Sequence, residues 1–275
     1  MTDIAPDFAA ALLMALSQAK QTVIYLALSA ARFLGLVAVF PVFRRTELGR
    51  MFLAVIALAL ALPAFGGLAP AAARLPIDNE LVLVLLVAKE FLVGAVIGLF
   101  FGVSFWAVQA VGEVVDHQRS VGSGIVAEPG SGEQSAVLAS LLGMAFVTLF
   151  VTTGGLGSVV ATVYATYAVW PLHRFAPDPS AAALAGLGAI VADVLVHGLI
   201  LAAPLLIFFL LIDAAMMLLG RLSGSVSISS LLTATKNLWF GFLILGYVAV
   251  LGRSMQALLP SPDRLIEALS LFAPG

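Results

Sequence analysis

Six ionisable residues stand inside otherwise apolar runs: Arg32, Lys89, Glu90, Asp193, His197 and Asp213. In hydrocarbon such groups are costly; they pair with one another, relay protons or bind ions. Asp193 and His197 are four residues apart and share a helix face, which suits a proton relay or a satisfied polar contact. Lys89 and Glu90 are adjacent, and neighbours on a helix point in different directions. They are therefore expected not to pair with each other, and the positions three and four away are apolar or glycine. Arg32 has only Ser29 on its own face. Two charges near the centre of a span cost about 5–7 kcal/mol, and some 15 apolar residues return about 5–9 kcal/mol, so insertion of such a helix is close to break-even.

Enzyme chemistry finds little support. With no cysteine, disulfides, thiolate metal sites and cysteine nucleophiles are excluded. No two of His117, His173 and His197 fall at metal-ligand spacing. Gly122-Ser123-Gly124 is similar to the serine segment of intramembrane serine proteases, but Val121 stands where that pattern has glycine. VGSGIV lacks the lysine and the strand of a phosphate-binding loop. No catalytic residue, metal or cofactor is expected, and without a basic stripe no nucleic acid. A secondary transporter coupling ions through Asp193, His197 and Glu90 remains an alternative, although no two similar halves are present.

The elements that must carry these residues follow from composition. Of 275 residues, 62% are hydrophobic and 10% charged, with a net charge of −2. That is too little charge to cover a soluble surface. Apolar segments begin at Thr22, Met51, Leu81, Val137, Ala181 and Leu238. The run from Leu81 to Val111 would be about 46 Å long as one helix, against a hydrocarbon core of roughly 30 Å. Ala181 to Leu219 holds Pro204 and is either one kinked helix or two segments. Tyr164, Tyr167 and Trp170 cluster as interfacial aromatics do. The expected fold class is an all-α integral membrane protein of about five to six long hydrophobic helices arranged as hairpins, some kinked or interrupted. It forms a single membrane domain over 1–275, with polar segments at 112–136 and 220–236 and a short C-terminal tail at 260–275. Basic residues divide almost evenly between the two sides, so orientation is not set, although Arg44, Arg45 and Arg50 share one short loop.

Gly94, Gly98 and Gly102 form GxxxGxxxG, a face on which two helix backbones can approach closely. Glu90 lies one turn before it, so its partner is expected on the helix docked there. The segment GEVVDHQRSVGSGIVAEPGSGEQSA, Gly112 to Ala136, is polar and glycine-rich in an apolar chain.

This segment resembles one in the SctT/FliR family of type III secretion export-apparatus proteins. The resemblance is carried by Gly112, Glu113, Asp116, Gln118 and Arg119, then Glu128, Pro129, Ser131, Gly132 and Glu133. AARFLGLVAVFPVF is similar to the family's first helix (Arg32, Pro41), KEFLVGAVIG to its Lys-Glu helix, YATYAVWP to its aromatic-Pro segment, and IDAAMMLLGRLS with Lys236 to its C-terminal block (Asp213, Arg221). GSVSISS stands where flagellar members carry a Pro-Gln-Leu-Asn run, which favours the non-flagellar branch. The resemblance implies a multi-pass subunit of the inner-membrane export gate of a virulence or symbiosis system. Implied partners are SctR-like and SctS-like subunits, an SctU-like switch protein, inner-rod or needle subunits, unfolded secreted substrates and membrane lipid. The polar segment would then serve the conduit or assembly. Arg32, Lys89, Glu90, Asp193, His197, Asp213 and Lys236 would pair between helices or subunits, and need not be satisfied within one chain.

Overall fold

A computed structural model describes residues 4–44, 49–72, 79–119, 125–127, 134–172, 181–222 and 228–270. Helix α1 (Ile4–Val39) leads through the short α2 (Pro41–Arg44) to α3 (Arg50–Ala72) and α4 (Glu80–Gln118). Two short strands follow, β1 (Ile125–Ala127) and β2 (Gln134–Ala136), then α5 (Val137–Thr152), α6 (Gly155–Val169), α7 (Ala181–Leu222), α8 (Ile228–Ala257) and α9 (Pro262–Ser270). The protein is all-α apart from the antiparallel ribbon, in which Ile125 faces Ala136 and Ala127 faces Gln134.

Helix α4 is the central post. Its 39 residues rise about 58 Å, and α1, α5 and α7 pack along it. Directions follow from the contacts. A side chain at Gly94 would strike the Arg32 backbone, Gly98 faces Leu36, and Gly102 faces Pro41, so α1 and α4 run parallel. Gly112 lies against Ala139, while Phe105 meets Phe146 and Phe150 edge-on at 4.7 and 5.3 Å. Helix α5 therefore runs antiparallel to α4. Gly198 of α7 touches Ala107, and α8 returns along α7, with Phe209 near Phe240 and Tyr247 donating to the Leu201 carbonyl at 2.8 Å.

The core is aromatic where α1, α4 and α5 meet. Phe40 contacts Phe101, Phe105 and Phe150 in edge-to-face geometry, the arrangement that ring quadrupoles favour. Outward faces stay apolar: Leu92 is 62%, Leu199 66% and Leu210 67% exposed. Helices α1, α4 and α7 each supply a stretch long and apolar enough to cross a membrane, and the bent pairs α5–α6 and α8 bring the possible spans to five.

One expected boundary needs correction: helix α1 starts at Ile4, well before Thr22. Of the two readings of the stretch through Pro204, one 42-residue helix is the one observed. Polar segment 112–136 begins with the last turns of α4, Gly112 to Gln118; segment 220–236 contains the end of α7 and the start of α8, and the tail contains α9.

Candidate functional site

The first polar cluster is built where α1, α4 and α6 converge. Gly35 and Gly94 let the two parallel helices touch backbone to backbone: a Cβ on Gly94 would overlap the Arg32 carbonyl, and one on Gly35 the Phe91 carbonyl. That approach brings Arg32 and Glu90, both fully buried, to 2.6 Å between Nε and Oε2. Arg32 Nη1 donates to the Thr166 hydroxyl at 2.9 Å and Nη2 to the Trp170 carbonyl at 2.9 Å. Its guanidinium lies 3.9 Å from the centre of the Tyr167 ring. Tyr167 in turn donates to the Ser29 carbonyl at 3.1 Å, and Tyr164 to the Leu60 carbonyl at 2.7 Å.

Lys89 and Glu90 do pair, contrary to the expectation from helix geometry: Nζ stands 2.5 Å from Oε1. The Cα–Cβ bonds diverge, but the long lysine stem bends back, because both head groups are drawn to the same place. Lys89 Nζ also donates to the Pro171 and Leu172 carbonyls, at 3.3 and 3.2 Å. The attractor is the C-cap carbonyl of α6 and the two carbonyls just beyond it, which stand at the negative end of the helix dipole. Two cations and one carboxylate are thus balanced by a helix terminus. The cluster is satisfied within one chain, so of the two kinds of pairing expected, between helices or between subunits, these residues show the first.

The second cluster ties the far end of α4 to α5, α7 and α8. Asp116 is buried, and its Oδ2 accepts the Leu138 backbone N–H at 2.7 Å. Ala136 at the N-cap of α5 offers no side-chain cap, so Asp116 caps that helix from across the junction. Its other oxygen meets Arg119 Nη1 at 3.1 Å. Arg119 Nε donates to Asn237 Oδ1 at 3.1 Å, and its guanidinium lies 3.8 Å from the Phe240 ring centre. Burial lowers the Arg119 pKa, and the Asp116 charge opposes that. Lys236 pairs with Asp213 at 2.7 Å and donates to the Gln118 carbonyl at 2.8 Å, a cation on the α4 C-terminus. Along α4, Glu90 and Asp116 are 26 residues apart, or about 39 Å. That exceeds a hydrocarbon core of roughly 30 Å.

Asp193 and His197 lie elsewhere. Their side chains approach to 3.3 Å and are about half exposed. Arg264 of α9 closes on Asp193 at 3.1 Å. They border a cavity of about 160 Å³ whose wall includes Ser104. Glu113 has no partner among the described residues. Glu128, Pro129, Gly132 and Glu133 lie outside the described residues, as do Gly122, Ser123 and Gly124. Gly102 faces Pro41 and Trp106 rather than the α1 backbone. Sequence reasoning missed Thr166, Asn237 and the three carbonyls of Trp170, Pro171 and Leu172. Only Thr166, a buried polar residue on an apolar helix, carried a signal in its side chain. Among the described residues no group of acids and histidines is placed to hold a metal ion.

The profile of the family described as Bacterial export proteins, family 1, matches residues 23–261. The chain belongs to this family. Yop proteins translocation protein T of Yersinia pestis is 27% identical over 247 residues, covering 88% of this chain and 92% of that protein. Surface presentation of antigens protein SpaR of Shigella flexneri is 24% identical over 58% of this chain and 60% of its own. Flagellar biosynthetic protein FliR of Caulobacter vibrioides is 28% identical over 68% and 71%. As a bacterial export protein the chain is a multi-pass membrane component of a protein-export apparatus. Both polar clusters fall within the family match, whereas the first turns of α1 precede it.

Proposed function

We propose that this chain is a non-enzymatic core subunit of a type III secretion export gate in the bacterial inner membrane, helping to enclose the conduit through which unfolded proteins leave. The family match over residues 23–261 carries this reading. The geometry supports it in one respect. The buried ionisable side chains in the two clusters are engaged in holding helices together: Arg32, Glu90 and Lys89 at one end, Asp116 and Lys236 at the other. Such an interior is a rigid frame rather than a reactive site. The outward apolar faces of α1, α4, α7 and α8 are what lipid and further subunits would cover. In this reading the partners are SctR-like and SctS-like gate subunits, with an SctU-like switch protein and inner-rod or needle subunits further out.

The test is co-purification in mild detergent from cells expressing the candidate partners. A complex containing this chain with the SctR-like and SctS-like subunits is expected; partners that assemble while this chain elutes alone would sink the reading. The transporter alternative keeps one observation, the cavity beside Asp193 and His197. Glu90 is paired with Arg32 and Lys89, which counts against it as a coupling group. Proton-coupled uptake by the isolated chain in liposomes would favour that alternative.

A further inference from the structure

Helices α5 and α6 together are apolar enough for one span, yet they meet at an angle of 68°. The depth of the bend can be read along α4. Phe150, just before it, packs on Phe105 at 5.3 Å. Phe105 is 15 residues beyond Glu90 and 11 before Asp116, or about 22 and 16 Å along the helix. The bend therefore stands near mid-depth between the two polar clusters.

At that depth the backbone is left open. Thr153 N–H reaches the Leu149 carbonyl, Gly154 N–H the Val151 carbonyl, and the ladder resumes only with Ser158 N–H on the Gly154 carbonyl. The N–H groups of Gly155, Leu156 and Gly157 and the carbonyls of Thr152 and Thr153 find no backbone partner among the described residues. Gly154, at the N-cap, has φ +81° and no side chain to help. The hydroxyls of Thr148, Thr152 and Thr153 are turned back on carbonyls of α5 at 2.8–2.9 Å. Thr152, Thr153, Gly154 and Gly157 are all exposed. Unpaired backbone groups cost several kcal/mol each in hydrocarbon, so irregular backbone at membrane depth is confined to protein interiors and water-filled cavities. Lipid beside this bend would leave these groups unpaired. A second mid-depth feature agrees. Asp193 and His197 are about half exposed and Arg264 more so, and α9, which carries Arg264, packs on both α6 and α7.

We infer that the bend at residues 152–158 lines the aqueous conduit and offers its open N–H and carbonyl groups to the backbone of an extended, unfolded polypeptide in transit. The complementarity is to main chain, so it is indifferent to the sequence that passes. The side chains of the bend are Thr, Gly, Ser and a single Leu. This inference rests on the export-gate reading.

The absence of cysteine from the chain makes the test direct. Single-cysteine variants Thr152→Cys, Thr153→Cys and Gly157→Cys, the last in open space, are assembled with their partner subunits and reconstituted in lipid nanodiscs. Leu199→Cys on the apolar face of α7 is the control. A charged, water-soluble methanethiosulfonate is expected to label the three bend positions and not the control. That labelling is lost when a substrate is arrested in the apparatus, and a disulfide to a cysteine in the arrested chain takes its place. Bend positions that are unreactive in the complex, or that crosslink to a partner subunit with or without substrate, overturn the inference while leaving the gate reading intact. A chain that never enters the complex removes the gate reading, and the inference with it.

Discussion

A guanidinium with no exposed surface needs a destination for its N–H groups, and Arg32 has three side-chain or carbonyl acceptors and an aromatic face. Glu90 is what makes its charge tolerable. Glu90→Gln leaves Arg32 and Lys89 buried without a carboxylate, and removing one partner of a buried pair costs about 3–5 kcal/mol. The expected outcome is a large drop in the detergent-solubilised melting temperature. The coupling can be separated from the loss by exchange. Arg32→Glu with Glu90→Arg together should be more stable than the sum of the two single reversals implies; additivity would show that the contact is not energetically coupled. The sequence announced that these charges needed partners, but not which ones. Arg32 and Glu90 are 58 positions apart, and the remaining acceptors of Arg32 and Lys89 are largely backbone carbonyls, which have no residue signature. The reading of Lys89 and Glu90 as divergent failed because it considered the direction of Cβ and not the reach of the stem.

At the scale of the element, the polar segment 112–136 begins as the last two turns of a helix. Asp116 sits on the buried face of α4 and does for α5 what Ala136 cannot. Asp116→Ala should cost about 0.5–2 kcal/mol, the usual value of a lost cap. The loss should be local, with faster hydrogen exchange at Leu138 to Ser140 and little change in α6. Uniform acceleration through both helices would mean that Asp116 holds the junction and not the cap. The bend makes a second demand. A Cβ on Gly155 would fall 2.5 Å from the Phe150 ring, so Gly155→Ala forces that ring off its place between Phe40 and Phe105, at about 1–3 kcal/mol. Phe150→Leu should relieve part of the cost, and a double variant no better than Gly155→Ala would exclude the ring as the obstacle. Gly94 and Gly98 were legible because their spacing is regular, whereas Gly102, third in the row, meets side chains of Pro41 and Trp106. Gly35, equally close to a neighbouring backbone, stands alone in sequence and could not be singled out before its partner helix was known; Gly112 was named for the family resemblance and not for its packing on Ala139.

The whole molecule explains why a simple membrane-helix reading gave the right fold class and the wrong helix ends. The six apolar segments map onto helices that alternate in direction, with α1, α4 and α7 parallel and α3, α5–α6 and α8 returning between them. Apolar runs mark where hydrocarbon or a partner can lie. Helix continuation depends instead on local backbone propensity and caps, so α1 and α4 run past their apolar stretches. The clearest case is the first half of α1. Every residue whose exposure is described from Phe8 to Val23 is exposed, and burial begins with Ile24 and Tyr25. The family match begins at residue 23, so the described side chains before it are exposed and lie outside that match. A chain lacking residues 2–20 should therefore melt within about 0.5 kcal/mol of the full-length chain, as changes on an unpacked surface do. It should also still co-purify with the gate subunits. Loss of folding would place stabilising contacts in a segment that shows none. Retained folding with lost co-purification would make this exposed arm, rather than the apolar faces of α4, α7 and α8, the principal contact with the rest of the apparatus.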